Sequence, residues 1–267
     1  MKLSISNIAW PSEDEEWVLK LLEKHSWDAI ELAPSRVWED FRTVSSSKIL
    51  NYKKKINFYG LEICSLHSLF YGIKDMNLFG NTKSKNSFVE YLKKIVDLSH
   101  FLGNKVIVLG SPSVRDLGNR HINVALLEAS YTLRRAAEYA EANGIMILIE
   151  PLSRVESNFV NTHDEGLSLV NMIGNAGFGL HLDAKSIADE NDDISSIISE
   201  CRNKIMHFHI NDPGLVSIGT KAKYHNIISD SLKEIGYKRY VSIEMRQNEN
   251  HRETIKNSVD FVEKVYG

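Results

Sequence analysis

The sequence predicts an α/β chain closed into one (β/α)8 barrel, and three observations predict it. Eight short apolar runs alternate with longer segments of helical spacing. The 267 residues allow about 33 per unit, the usual economy of such a barrel. The rival, a doubly wound open sheet, calls for a phosphate-binding glycine loop after the first strand, and "SNIAWPSEDEE" has none. No linker or low-complexity tract divides the chain, so residues 1–267 read as a single domain.

The strands, in order, are "KLSISNIAW" (2–10), "WDAIELAP" (27–34), "LEICSLHSLF" (61–70), "NKVIVLGSP" (104–112), "IMILIEP" (145–151), "FGLHLDA" (178–184), "KIMHFHI" (204–210) and "YVSIEM" (240–245). Between them "EEWVLKLLEKH", "SFVEYLKKIVDLSHFLG", "NVALLEASYTLRRAAEYAEANG" and "IISDSLKEIG" have the spacing of amphipathic helices. Ser12 with Glu15 and Thr162 with Glu165 have capping-box spacing, and Gly60, Gly103, Gly144 and Gly177 sit where a helix gives way to a strand.

Composition narrows the function. With 43% hydrophobic and 25% charged residues and a net charge of −3, the chain has a globular balance without the basic excess that nucleic acid demands. The lysine-rich stretches at 53–55 and 83–94 read as solvated helix faces. Cys64 and Cys201 form no CxxC pair, which argues against a thiolate zinc site or a disulfide framework and fits a reducing cytoplasm. The first residues do not resemble a signal peptide, and no apolar run approaches membrane-spanning length.

In a barrel of this kind chemistry is built where strands end. Glu150 ends "IMILIE", Asp183 ends "GLHLD", His209 ends "MHFH" and Glu244 ends "VSIE". A carboxylate after a buried apolar run is costly unless it is paired, hydrogen-bonded or bound to a cation. Read singly, each acid could instead cap the next helix or accept loop amides. Together, three carboxylates and an imidazole at one mouth call for a positive centre. Oxygens plus one nitrogen, without thiolate, suit Mn²⁺ first, with Mg²⁺, Co²⁺ or Zn²⁺ also compatible. His207 faces the same way as His209 but about 6.6 Å deeper along the strand, which gives it a supporting or core role.

These stretches resemble the xylose isomerase-like TIM barrels, a superfamily of sugar isomerases and epimerases, inosose dehydratase and AP endonucleases of the endonuclease IV type. The resemblance runs through "LIEPLSRVESNFVNT" (148–162), "GLHLDAKSI" (179–187), "HFHIND" (207–212) and "GYKRYVSIEM" (236–245). It implies a catalytic divalent metal on Glu150, Asp183, His209 and Glu244, with Glu150 and Glu244 also moving protons. The segment after Glu150 is most similar to the D-tagatose/D-psicose 3-epimerases, where Ser153-Arg154-Val155-Glu156 matches a run whose acid contacts substrate hydroxyls. Many such relatives are dimers or tetramers, which implies a possible homo-oligomer.

The chain also departs from that pattern. Ser186 stands where the epimerases carry a substrate-contacting histidine, and Leu215 where an arginine is expected, so substrate contacts differ. The nuclease needs three zinc ions and several further histidines that "VLGSP" and Ser186 do not supply, though His67 matches one of them. Remaining candidates have two readings each: His67, substrate contact or structural hydrogen bond; Trp10, an aromatic face for a sugar or packing under the next helix; Glu31, pocket lining or salt bridge; His181, support or core. The expectation is a metal-dependent sugar isomerase or epimerase working by α-proton abstraction through an enediolate. Its alternatives are an inosose-type dehydratase, a non-catalytic sugar-binding barrel and, last, an AP endonuclease.

Overall fold

All eight expected strands form in the computed structural model, which describes residues 1–190 and 192–267: β1 (Lys2–Ser6), β2 (Ala29–Leu32), β3 (Glu62–Leu66), β4 (Val106–Leu109), β5 (Met146–Ile149), β6 (Phe178–Asp183), β7 (Ile205–Ile210) and β8 (Tyr240–Ile243). They pair in parallel in chain order and β8 returns to β1, closing the barrel. Several expected runs extend past the strands observed. The third stops at Leu66 because Ser68 adopts a left-handed φ of 52° that turns the chain out of the sheet.

The outer ring is formed by α1 (Glu15–Lys24), α2 (Ser46–Phe58), α3 (Thr82–Leu102), α4 (Ile122–Ala142), α5 (His163–Ile173), α6 (Ala184–Asp189), α7 (Ile194–Glu200), α8 (Ala222–Glu234) and α9 (His251–Tyr266). The predicted cap at Thr162 forms: its hydroxyl accepts from Glu165 N at 3.2 Å, and Glu165 accepts from Asn161 N. That at Ser12 does not. Residues 12–14 form a 3-10 turn, α1 starts after Asp14, and Glu15 is engaged by Tyr52 and Lys55. Gly174 rather than Gly177 ends α5 in the left-handed region. Gly177 is required for space, since a Cβ there would lie 2.1 Å from the Ala137 carbonyl.

Alternation along the strands divides two environments. Leu3 and Ile5 of β1 join the hydrophobic core, whereas Ser4 and Ser6 are fully buried polar residues. The lumen carries polar side chains: Glu31 of β2 bonds His207 of β7, which is not a neighbouring strand, so the contact crosses the barrel interior. Two register shifts adjust what faces inward. Cys64 is the extra residue of β3 opposite the Ile30–Glu31 step, and Met206 that of β7 opposite the Leu180–His181 step.

Candidate metal centre and cavity

Glu150 follows β5, Asp183 ends β6, His209 lies near the end of β7 and Glu244 follows β8, so four consecutive strands deliver four side chains to one place. His209 Nδ1 is the hub, 3.5 Å from Glu244 Oε2, 3.7 Å from Asp183 Oδ2 and 3.9 Å from Glu150 Oε1. That nitrogen is buried without a hydrogen-bond partner among the described residues. Ligand atoms of Glu150, His181, Asp183 and His209 also lie within 4.8 Å of one another. Three carboxylate groups around an unpartnered imidazole nitrogen are what a divalent cation requires, and the residues fit one.

The surroundings hold these groups in place. Asp183 caps α6 through Ser186 N at 2.7 Å and accepts from Asn211 Nδ2 at 2.6 Å. Asn211 also donates to Glu244 at 3.4 Å and accepts from Lys185 N at 2.7 Å, linking β6, β7 and β8. His67 is bonded through Nε2 to Ser6 Oγ at 2.6 Å and places Nδ1 3.4 Å from Glu244 Oε1. Glu31, wholly buried, bonds His207, His209, Ser65 and Ser242. Asp212 engages Thr220 and His225, tying the loop after β7 to α8.

Electrostatics separates the acids. Burial, reinforced by Asp183 and Glu244, pushes Glu150 well above the ordinary carboxylate range. Burial pulls Glu244 the same way, but the neighbouring His209 and His67 hold it well below that range. Burial disfavours the His209 cation, yet Glu31 and Glu244 lift its pKa well above the usual histidine value. Glu31 is lowered against its own burial by the charges of His209, His67 and His207. His181 is kept neutral by burial and by the two neighbouring imidazoles.

Above these groups opens a cavity of about 250 Å3. Half of its wall comes from the loops after β3 and β4, including His67, Tyr71 and Gly110. The other half carries Glu150, Asp183, Glu244, Glu156, Ser186 and Leu215. Lys185 also lines it, bonded to Glu156 at 2.8 Å and Asp189 at 3.0 Å. Of the residues expected from sequence to contact substrate, His67, Glu156 and Ser186 line the cavity and Trp10 does not, and Glu31, expected either to line the pocket or to form a salt bridge, lies beneath the wall. The turn Asn7–Ala9 carries Trp10 into the hydrophobic core, 2% exposed, with its carbonyl accepting from Arg36.

Four further residues had weak sequence signals or none. Lys185 sits inside a recognised motif but one place before the expected position. Asn211 follows the histidines. Gly110 ends an apolar run, and a Cβ there would meet Glu150 Oε2 at 1.8 Å. Arg115 is buried, donating through Nη1 to the Glu150 carbonyl at 2.8 Å while Nε and Nη2 have no partner among the described residues. Burial lowers its pKa to about 10 against the pull of Glu150 and Glu156.

A family model described as xylose isomerase-like TIM barrel matches residues 19–265. An L-ribulose 3-epimerase of Mesorhizobium japonicum is 29% identical over 171 residues, 60% of this chain and 54% of that protein. A second L-ribulose 3-epimerase, of a Methylomonas species, is likewise matched over 56% of its length, so the aligned part spans little more than half of these relatives. An inosose isomerase of Bacillus velezensis is 24% identical across 92% of this chain and 90% of its own. Among solved structures, a D-psicose 3-epimerase with D-tagatose from Clostridium cellulolyticum H10 superposes with a TM-score of 0.83 at 18% identity, covering 100% of this chain and 99% of that one. At that identity the likeness is one of fold.

Proposed function

Since the chain belongs to the xylose isomerase-like TIM barrel family, we propose that it is a metal-dependent epimerase or isomerase of a small sugar ketone. The observation that carries the reading is His209 Nδ1, buried and without a hydrogen-bond partner among the described residues, amid the carboxylates of Glu150, Asp183 and Glu244. These four would hold the ion, with Mn²⁺ suited to so oxygen-rich a set. Bound there, a divalent cation supplies Lewis acidity toward a carbonyl and its neighbouring hydroxyl, easing loss of the proton between them.

The chain's own residues do the rest. Glu150 and Glu244 project from strands separated by β6 and β7, so they approach a molecule in the cavity from different directions. One removes the α-proton and the other returns one to the enediolate carbon, as general acid–base catalysis requires. Lys185 and Glu156 together offer a donor and an acceptor to sugar hydroxyls, and Ser186 leaves room where a larger side chain would narrow the cavity. The buried free thiols of Cys64 and Cys201 accord with a cytoplasmic setting.

The full-length similarity to an inosose isomerase supports a second substrate class, a cyclic inosose undergoing the same α-proton abstraction. The test is solvent-deuterium incorporation by Mn²⁺-loaded protein into L-ribulose, D-psicose, D-tagatose and an inosose. Deuterium at the carbon beside the carbonyl, absent in Glu150→Gln and Glu244→Gln, is the expected result. A dehydratase would instead release water and an absorbing enone, and exchange that survives both substitutions defeats the acid–base assignment.

A further inference from the structure

A carboxylate is purely an acceptor, with room for about four hydrogen bonds. Glu31 has four donors around it, from three other strands: Ser65 Oγ at 2.5 Å and His207 Nε2 at 3.1 Å on Oε1, His209 Nε2 at 2.9 Å and Ser242 Oγ at 2.8 Å on Oε2. The residue is fully buried, lies below the cavity wall and does not line it. Its capacity is filled, so the group is anchored from β3, β7 and β8 at once.

The bond to His209 has a chemical consequence. Because Glu31 can only accept, Nε2 of His209 must carry its proton, and in the neutral ring Nδ1 is then the bare nitrogen. Nδ1 is the atom facing Glu150, Asp183 and Glu244. We infer that Glu31 is a positioning residue for the metal centre, fixing both the tautomer and the orientation of His209 so that its Nδ1 lone pair meets the ion. A carboxylate behind a ligating histidine raises the basicity of the ligand and restrains its rotation. Ser65, Ser242 and His207 serve the same end by holding Glu31 still. The inference rests on the reading that Glu150, Asp183, His209 and Glu244 bind a divalent metal.

Two measurements test it. In Zn²⁺-loaded wild-type protein, long-range 15N–1H spectra of His209 should show Nε2 protonated and Nδ1 bound to the metal; coordination through Nε2 overturns the inference without any substitution. Glu31→Gln keeps the shape but presents an amide N–H to donors, and calorimetry should show Mn²⁺ affinity reduced about 10- to 100-fold. A folded Glu31→Gln protein binding Mn²⁺ within twofold of wild type also overturns it. Wild-type protein that binds neither ion defeats the metal reading itself, a separate outcome from normal binding that ignores Glu31.

Discussion

Gly110 and Glu150 are so close that a single methyl group on Gly110 would lie 1.8 Å from Glu150 Oε2. The glycine is therefore part of how the carboxylate is aimed. Gly110→Ala should force Glu150 aside by an ångström or more, and a shift of that size at a reacting group costs about 100-fold in rate. Isotope exchange should fall accordingly and Mn²⁺ affinity should weaken. A variant with wild-type exchange would show that Glu150 reaches its working position by another route.

Glu150 should also destabilise the metal-free protein at neutral pH. Its folded-state pKa is raised, so as pH climbs past about 4.3 the unfolded chain releases the proton first and stability is lost until the folded value is passed. Glu150→Gln removes that penalty. In EDTA at pH 7 the variant should melt a few degrees above wild type, about 2–4 °C per kcal/mol. The gap should close toward pH 4, and added Mn²⁺ should raise the melting temperature less than in wild type.

Asp212 should behave with the opposite sign. Burial works to raise its pKa, but His225 and Thr220 as hydrogen-bond donors bring it below the ordinary value. Its contribution is present above about pH 3.9 and lost as pH falls through the folded pKa. Asp212→Asn should cost about 1–3 kcal/mol at pH 7 in chemical denaturation. That difference should shrink below pH 4.

Lys185 should act on substrate binding more than on the chemical step. Lys185→Met removes the partner of Glu156 while leaving the four proposed metal ligands untouched. Loss of about one such hydrogen bond corresponds to roughly a tenfold rise in KM for whichever ketose is turned over, with kcat changed less than threefold. A fall in kcat at constant KM would place Lys185 in the chemical step instead.

What the sequence revealed follows from where each signal resides. Glu150, Asp183, His209 and Glu244 were legible because each closes an apolar run, and period-two alternation fixes which way a strand residue faces. The barrel was legible for the same reason, as a repeat of local patterns. Gly110 was not, because its role is a distance to a residue 40 positions away. Glu31 was legible as a strand-end acid that lines the pocket or forms a salt bridge, but not as the partner of His209, which requires β2 and β7 to face each other across the lumen. Trp10 looked like a strand-end aromatic, and only the turn at 7–9 shows that it packs inward.

The division of the cavity wall has a consequence for how such a protein changes over time. The proposed ligands come from β5 to β8, whereas His67, Tyr71 and the Gly110–Ser113 segment come from the loops after β3 and β4. Those two loops can lengthen, shorten or exchange residues without moving Asp183 or His209, provided that Gly110 keeps its place beside Glu150. The proposed ligands thus belong to one half of the closed sheet, while the cavity wall is shared between both halves. Under the proposed function, exchanging the loops after β3 and β4 should change which sugar fits while Glu156, Lys185 and Ser186 keep their places on the opposite wall.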